Sequence, residues 1–163
     1  MSKLSVETLV APVHVPAGEG KAFWGPGDRY NFLVTGSETN GGCFILEAIV
    51  PPGGGPPPHI HHREDEYFYV LEGRLHVSVA NKDIAASAGD FVHIQRGVVH
   101  GFRNDGSGNA RMLAIFTPAG MEHWFEECLD PAPDRTSLPP PPTAELIQRM
   151  IAAGPKHGVE WKS

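Results

Sequence analysis

Cysteine is scarce in this chain. Two of its 163 residues, Cys43 and Cys128, are cysteines. That is too few for a disulfide scaffold, and they lack a C-x-x-C spacing, so each reads as a small buried hydrophobe. Basic charge is also short: 13 Lys and Arg stand against 19 Asp and Glu, for a net charge of −6. A surface this acidic does not hold DNA or RNA by counterion release. No basic segment or helix-turn-helix pattern points to a regulator that binds DNA. No apolar run approaches the roughly 20 residues of a membrane-spanning helix. Met1–Val10 lacks the charged start and long apolar stretch of a signal peptide. The expectation is a cytoplasmic protein with no nucleic-acid or membrane partner.

Glycine and proline, by contrast, are abundant. Nineteen Gly and 16 Pro make up more than a fifth of the chain, where roughly 12% is usual. With 40% hydrophobic residues the chain is not disordered, and its length suits one domain with a real core. Many turns and few long helices imply an all-β domain. Strands are expected at Tyr30–Thr35, Cys43–Val50, Tyr67–Leu71, Leu75–Val79, Phe91–Ile94, Val98–Arg103 and Met112–Thr117. Turn sequences such as Asn40-Gly41-Gly42, Glu72-Gly73, Asn81-Lys82-Asp83 and Ala88-Gly89-Asp90 separate them. Such close, even spacing suggests a sandwich or barrel. Pro51–Pro58 is too rich in Pro and Gly to be a strand interior.

The pattern changes after Pro118. Gly120–Leu129 reads as a short helix, and Asp130–Pro142, with six prolines, as an extended strap. Thr143 then resembles an N-cap. Leu146, Ile147, Met150 and Ile151 form an apolar stripe, and Gly154-Pro155 stops the helix. The division expected is an N-terminal strand segment over 1–24, a barrel over 25–118, and a C-terminal helical segment and tail over 119–163. Leu4–Val15 has apolar positions suited to a strand exchanged between two subunits.

Three of the nine histidines, His59, His61 and His62, fall within four residues. On an extended strand His59 and His61 point to one face, about 7 Å apart, and His62 to the other. Two imidazoles so placed can share a metal, and a nearby carboxylate would add an oxygen ligand. An N/O set of this kind suits divalent Fe, Mn, Ni, Co or Zn. On an unbroken strand Asp65, not Glu66, would share the histidines' face. Glu66 joins them only if the chain turns within His62–Asp65, so the spacing leaves these two acids in competition. Downstream, His100 follows a turn at Gln95–Gly97 and begins a strand with Phe102 and Asn104 on its face. Glu64 and Asp65 read as solvated charges or as outer partners of an imidazole, and His93 as structural.

The chain resembles the cupins, small β-barrels with two sequence motifs. Gly53, His59, His61, Glu66 and Gly73 meet every position of the first. Gly89, Gly97, His100 and Asn104 match the second, with Gln95 in place of its usual proline. The resemblance implies a jelly-roll β-barrel with short C-terminal helices. It decides the parity question for Glu66 and implies one divalent transition metal held by His59, His61, Glu66 and His100. The departure at Gln95 is expected to reshape the turn without removing a ligand. Phe68, Val70 and Phe102, which share parity with the ligands, are candidate walls of a substrate pocket.

The stretch from Pro51 to Gly73, with Tyr30–Gly36 upstream and Thr117–Glu122 downstream, is similar to the single-domain, quercetin 2,3-dioxygenase-like branch of cupins. That likeness implies a dioxygenase that cleaves a small phenolic or enolisable, flavonol-like substrate with O2. Glu66 would be both ligand and catalytic base. A metal-dependent isomerase or lyase without O2, or a non-catalytic module binding a small ligand, stands as the alternative. Small cupins commonly pair, so a homodimer is expected. The C-terminal helix and Trp161 would close one barrel end or join the subunit contact.

Overall fold

The computed structural model describes residues 10–163. In chain order its strands are β1 (Ala22–Trp24), β2 (Arg29–Val34), β3 (Phe44–Val50), β4 (His59–His61), β5 (Asp65–Glu72), β6 (Arg74–Val79), β7 (Lys82–Ser87), β8 (Phe91–Ile94), β9 (His100–Arg103) and β10 (Ala110–Thr117). Helix α1 (Met121–Cys128), the two-residue β11 (Asp130–Pro131), helix α2 (Ala144–Ala153) and β12 (Val159–Trp161) follow. Two sheets form, one ordered β11-β1-β2-β3-β10-β5-β8 and the other β12-β4-β9-β6-β7. This is the antiparallel jelly-roll layout that the sequence implies. No helix among the described residues is long and apolar enough to cross a membrane.

The strands form where alternation gives each sheet one apolar face. In β10, Ala110, Met112, Ala114 and Phe116 are buried while the residues between them are not. β5 turns Glu66, Phe68 and Val70 inward, and β6 does the same with Leu75 and Val77. Aromatic rings fill the space at the α1 end. Phe44, which is fully buried, lies 4.7 Å from Phe32, 5.6 Å from Phe116 and 5.8 Å from Phe125 of α1, centroid to centroid. Gly73 carries the chain from β5 in one sheet to β6 in the other. Its φ is 74°, and any Cβ there would lie 3.1 Å from the Ala110 Cα, so only glycine fits without strain.

Some expectations need correction. Lys82–Ser87, read partly as a turn, is a strand that pairs with β6 along its whole length. The short strand β12 carries too few residues to show a period and is not among the expected strands, whereas β1 falls within the expected N-terminal strand segment over 1–24, beyond Leu4–Val15. Leu4–Val15, the proposed exchanged strand, begins outside the described residues, and its described part from Val10 onward forms no strand. Helix α2 starts as anticipated, with the Thr143 hydroxyl accepting from Leu146 N. Of its stripe, Leu146 and Met150 are buried while Ile147 and Ile151 are exposed. Both cysteines are free, and burial pushes the Cys128 thiol up to about 12, which leaves it unreactive.

Asn104 shows how the two motif regions are joined. Its side-chain Nδ2 donates to the Val50 and Gly108 carbonyls, both at 2.7 Å, and its Oδ1 accepts from Gly106 N. Its backbone pairs with Gly53 and Gly54. The backbone of Asn104 therefore fastens the end of β9 to the glycine loop that leads into β4, and its side chain ties the same point to the end of β3. Replacing this residue with alanine removes the donor to the buried Val50 carbonyl and to that of the exposed Gly108, and Asn104→Ala is expected to cost about 1–3 kcal/mol in urea unfolding. An unchanged unfolding midpoint would contradict this role.

Candidate metal centre

Strand β4 is only three residues long because the chain changes sheet directly after it. His59 and His61 point into the barrel from β4, and His62–Glu64 make the turn to β5 in the opposite sheet. That turn resets the parity. Asp65 ends outside, where Arg96 donates to it from its backbone N and from Nε. Glu66 ends inside, facing β4. His100 arrives on β9, directly opposite His59 in the ladder. The turn that delivers it closes at Gln95, whose carbonyl accepts from Val98 N, while Gly97 N donates to the His61 carbonyl. Glutamine thus serves in the proline position and the ligand strand stays in place.

All four side chains are buried, and their donor atoms lie within 4.8 Å of one another. The imidazole centroids are separated by 4.4 Å (His59–His100), 4.9 Å (His59–His61) and 5.3 Å (His61–His100). Glu66 Oε2 sits 2.7 Å from His100 Nε2 and 3.4 Å from His61 Nε2. His59 Nδ1 is 2.8 Å from the Pro57 carbonyl and His100 Nδ1 is 2.9 Å from that of Val98. A carbonyl only accepts, so Nδ1 carries a hydrogen in both rings and Nε2 is the nitrogen that faces the centre.

The charges suit a cation. Burial pushes the His59 imidazole down to about 3, aided by the two neighbouring histidines, so it is neutral near pH 7. Burial alone would push the Glu66 carboxyl up. Hydrogen bonds and charge from His100 and His61 outweigh it and hold the group well below the ordinary carboxylate range. Burial would likewise lower His100, but Glu66 outweighs it and raises this imidazole. A divalent first-row ion bound at about 2.1 Å brings its ligand atoms to roughly 3–4 Å from one another. The observed cluster therefore fits such an ion after small side-chain shifts, with three nitrogens and a carboxylate as its donors.

The site faces a cavity of about 50 Å³ bounded by Tyr30, Phe102 and side chains of the C-terminal segment. Of the three expected pocket residues, Phe102 lines it. Phe68 and Val70 do not: both are packed in the core, with Phe68 edge-on to Phe102 at 5.4 Å. Parity placed them on the right face, but they lie further along β5 than the cavity reaches. The spacing gave no sign of Tyr30. Its hydroxyl donates to Asp28 Oδ2 at 3.0 Å. Burial pushes Asp28 up to about 7 and Tyr30 well above its ordinary value, so Tyr30 stays neutral.

Outside the cluster, His93 is stacked on Tyr67 at the surface, and His62 pairs with Glu160 at 2.7 Å. Glu64 is buried rather than solvated. Its Oε2 and His61 Nδ1 both lack a hydrogen-bond partner among the described residues. If the four converging side chains hold the ion, His59→Ala and His100→Ala should each lower metal content at least about tenfold, read by elemental analysis, with the circular dichroism of the barrel retained. Full occupancy in both variants would remove the assignment.

Comparison with known proteins agrees with this geometry. The cupin domain family matches residues 46–116. Quercetin 2,3-dioxygenase from Bacillus subtilis (strain 168) is 27% identical over 121 residues, which is 74% of this chain and 35% of that protein. The chain thus spans about a third of that relative's length. A protein described as a predicted oxalate decarboxylase from Thermotoga maritima superposes with a TM-score of 0.59 at 21% identity, covering 66% of this chain and 99% of that one. An RmlC-like cupin from Shewanella frigidimarina gives a TM-score of 0.58 at 23% identity, over 71% of this chain and 99% of its own. At these identities the structural likeness speaks for the fold alone. The matched stretch carries all four converging side chains, so residues 46–116 form a cupin domain by sequence, fold and site.

Proposed function

We propose that the protein is a metal-dependent dioxygenase acting on a small phenolic or enolisable compound. The observation that carries this reading is the convergence of His59, His61, Glu66 and His100 on one point at the wall of an apolar cavity. The 27% identity to a quercetin 2,3-dioxygenase supports it. A divalent ion, when bound there, supplies Lewis acidity that favours the deprotonated form of an enolisable hydroxyl. Three neutral imidazoles and one carboxylate leave such a site with a single net positive charge, which suits a substrate oxyanion.

The chain's own residues do the rest. Glu66 is held as a carboxylate and lines the cavity, so its oxygen is placed to accept the hydroxyl proton of a substrate. His59 and His100 are held in orientation by backbone carbonyls, which limits motion of the site during turnover. Phe102 and the ring of Tyr30 offer hydrocarbon that keeps water from reactive species.

The test is oxygen uptake by protein loaded with Fe, Mn, Co or Ni against a panel of small enols, catechols and flavonols. Metal-dependent O2 consumption is expected, and Glu66→Gln should lower it by about 10²–10⁴-fold. Turnover under strict anaerobiosis would overturn the dioxygenase in favour of an isomerase or lyase. Ligand binding without turnover at full loading of each metal would overturn it in favour of a binding module.

We also propose a homodimer. Tyr69, Leu71 and Phe91 are exposed on the outer face of β5 and of β8, the strand at the sheet edge, with Tyr69 and Phe91 opposite each other in register. Large apolar side chains grouped in this way suit contact with a second copy. Light scattering is expected to give twice the 17.6 kDa chain mass, and Phe91→Glu to shift it toward the monomer. A monomer mass for the unaltered protein would contradict the proposal.

A further inference from the structure

The cavity beside the metal centre is small for a binding site. Pockets for small molecules commonly measure about 300–1,000 Å³, and a cavity that takes up benzene measures about 150 Å³. Here the space is about 50 Å³. The cavity is about a third of the size that takes up benzene, so a phenolic ring does not fit it as it stands.

What closes it comes from outside the barrel strands. Met121 and Trp124 of α1, Met150 of α2, and Val159 and Trp161 of β12 supply the wall facing His59, His61 and Glu66. These five differ in how firmly they are held. Met121, Trp124 and Met150 are buried in the main core, and the Trp124 indole donates to the Met150 carbonyl. Trp161 lies on a strand of three residues at the sheet edge, whose only neighbour in the sheet among the described residues is β4. Its ring is partly exposed, sits 5.3 Å from the His59 ring, and has an indole N–H without a hydrogen-bond partner among the described residues. The side-chain ties of β12 are exposed as well. The Glu160 pairs with His62 and Lys162 lie at the surface, where such pairs contribute little. Val159 anchors the start of this edge strand in the core, so its far end, which bears Trp161, is the part that opens locally at low cost.

We infer that Trp161 is the specificity-determining residue of this centre, setting by its bulk the size of ligand that reaches the metal face. With β12 seated, the site takes O2 or a small anion. A ring-bearing ligand binds only when the indole moves aside. The inference deepens the proposed function and rests on its metal centre, but not on oxygenation. A phenolic substrate of that enzyme would have to displace Trp161 and hold it aside while bound.

The test uses the full chain loaded with Co(II), whose visible absorption responds to ligand exchange, and two probes. Azide has three atoms in a line; 4-nitrocatechol carries a ring and binds metals through two oxygens. In the unaltered protein azide should perturb the cobalt spectrum, while 4-nitrocatechol binds weakly. Trp161→Ala should tighten 4-nitrocatechol about tenfold or more and change azide far less. Equal 4-nitrocatechol affinity in the unaltered protein and in this variant would overturn the inference while leaving the metal centre intact. Should Trp161→Ala fail to retain cobalt, Trp161→Phe keeps an aromatic ring against His59 and removes part of the bulk. A gain of about threefold or more in 4-nitrocatechol affinity supports the inference, and no gain at full cobalt loading overturns it. A wild-type protein that gives no cobalt spectrum overturns the metal centre and this inference together. Since nothing here depends on turnover, an inactive oxygenase does not affect the result.

Discussion

Four ionisable side chains sit inside a hydrocarbon barrel, and the free energy of keeping them there is the constraint around which the site is built. Burying polar groups without partners is costly, and burying charge is costlier still. The fold reduces that cost in two ways. Backbone carbonyls from Pro57 and Val98 each take up one imidazole nitrogen, and the Glu66 carboxylate lies between His61 and His100. What remains is a set of inward nitrogens and one carboxylate aimed at a common point. A divalent cation is the ligand that such a set accommodates best.

The geometry rests on one topological step. A continuous strand from His59 onward would have pointed Asp65 inward and Glu66 out. The three-residue turn His62–Glu64 instead moves the chain to the facing sheet, so that Glu66 looks back across the barrel at the histidines. His100 is then placed by the turn after β8, which Gly97 ties to the His61 carbonyl. Ligands from two sheets are harder to displace than ligands from one loop, because the barrel core fixes the distance between them.

Much of this was legible in the sequence because its signals are local. The alternating runs marked β5, β6 and β10 within one or two residues, and the Thr143 cap and the Gly154-Pro155 stop bounded α2. The motif spacings pointed to His59, His61, Glu66 and His100, which the fold brings together. Other features depend on distance along the chain. Spacing alone could not choose between Asp65 and Glu66, since the choice depends on a change of sheet that strand parity does not encode. Parity put Phe68 and Val70 on the correct face but not at the correct height, so they belong to the core. Tyr30, Met121 and Met150 border the cavity through tertiary packing, with no motif to mark them. The closure by β12 was equally hidden, because a three-residue strand has no period and its partner β4 lies about a hundred residues earlier.

The same arrangement joins chemistry to access. The polar centre is fixed by the core, whereas part of the wall opposite it is carried on an edge strand. An apolar, nearly closed chamber favours reactions that water would intercept, and it also limits what can enter. The claim on which all of this depends is that one cation binds at the convergence of these four side chains. X-ray absorption spectroscopy at the edge of the metal retained on purification tests it most directly. The account predicts one metal per chain with an inner shell that shows the outer-ring scattering of three imidazoles together with oxygen neighbours. A retained metal whose inner shell holds no imidazole, or one whose signal is unaltered when His59 and His100 are replaced, would contradict it.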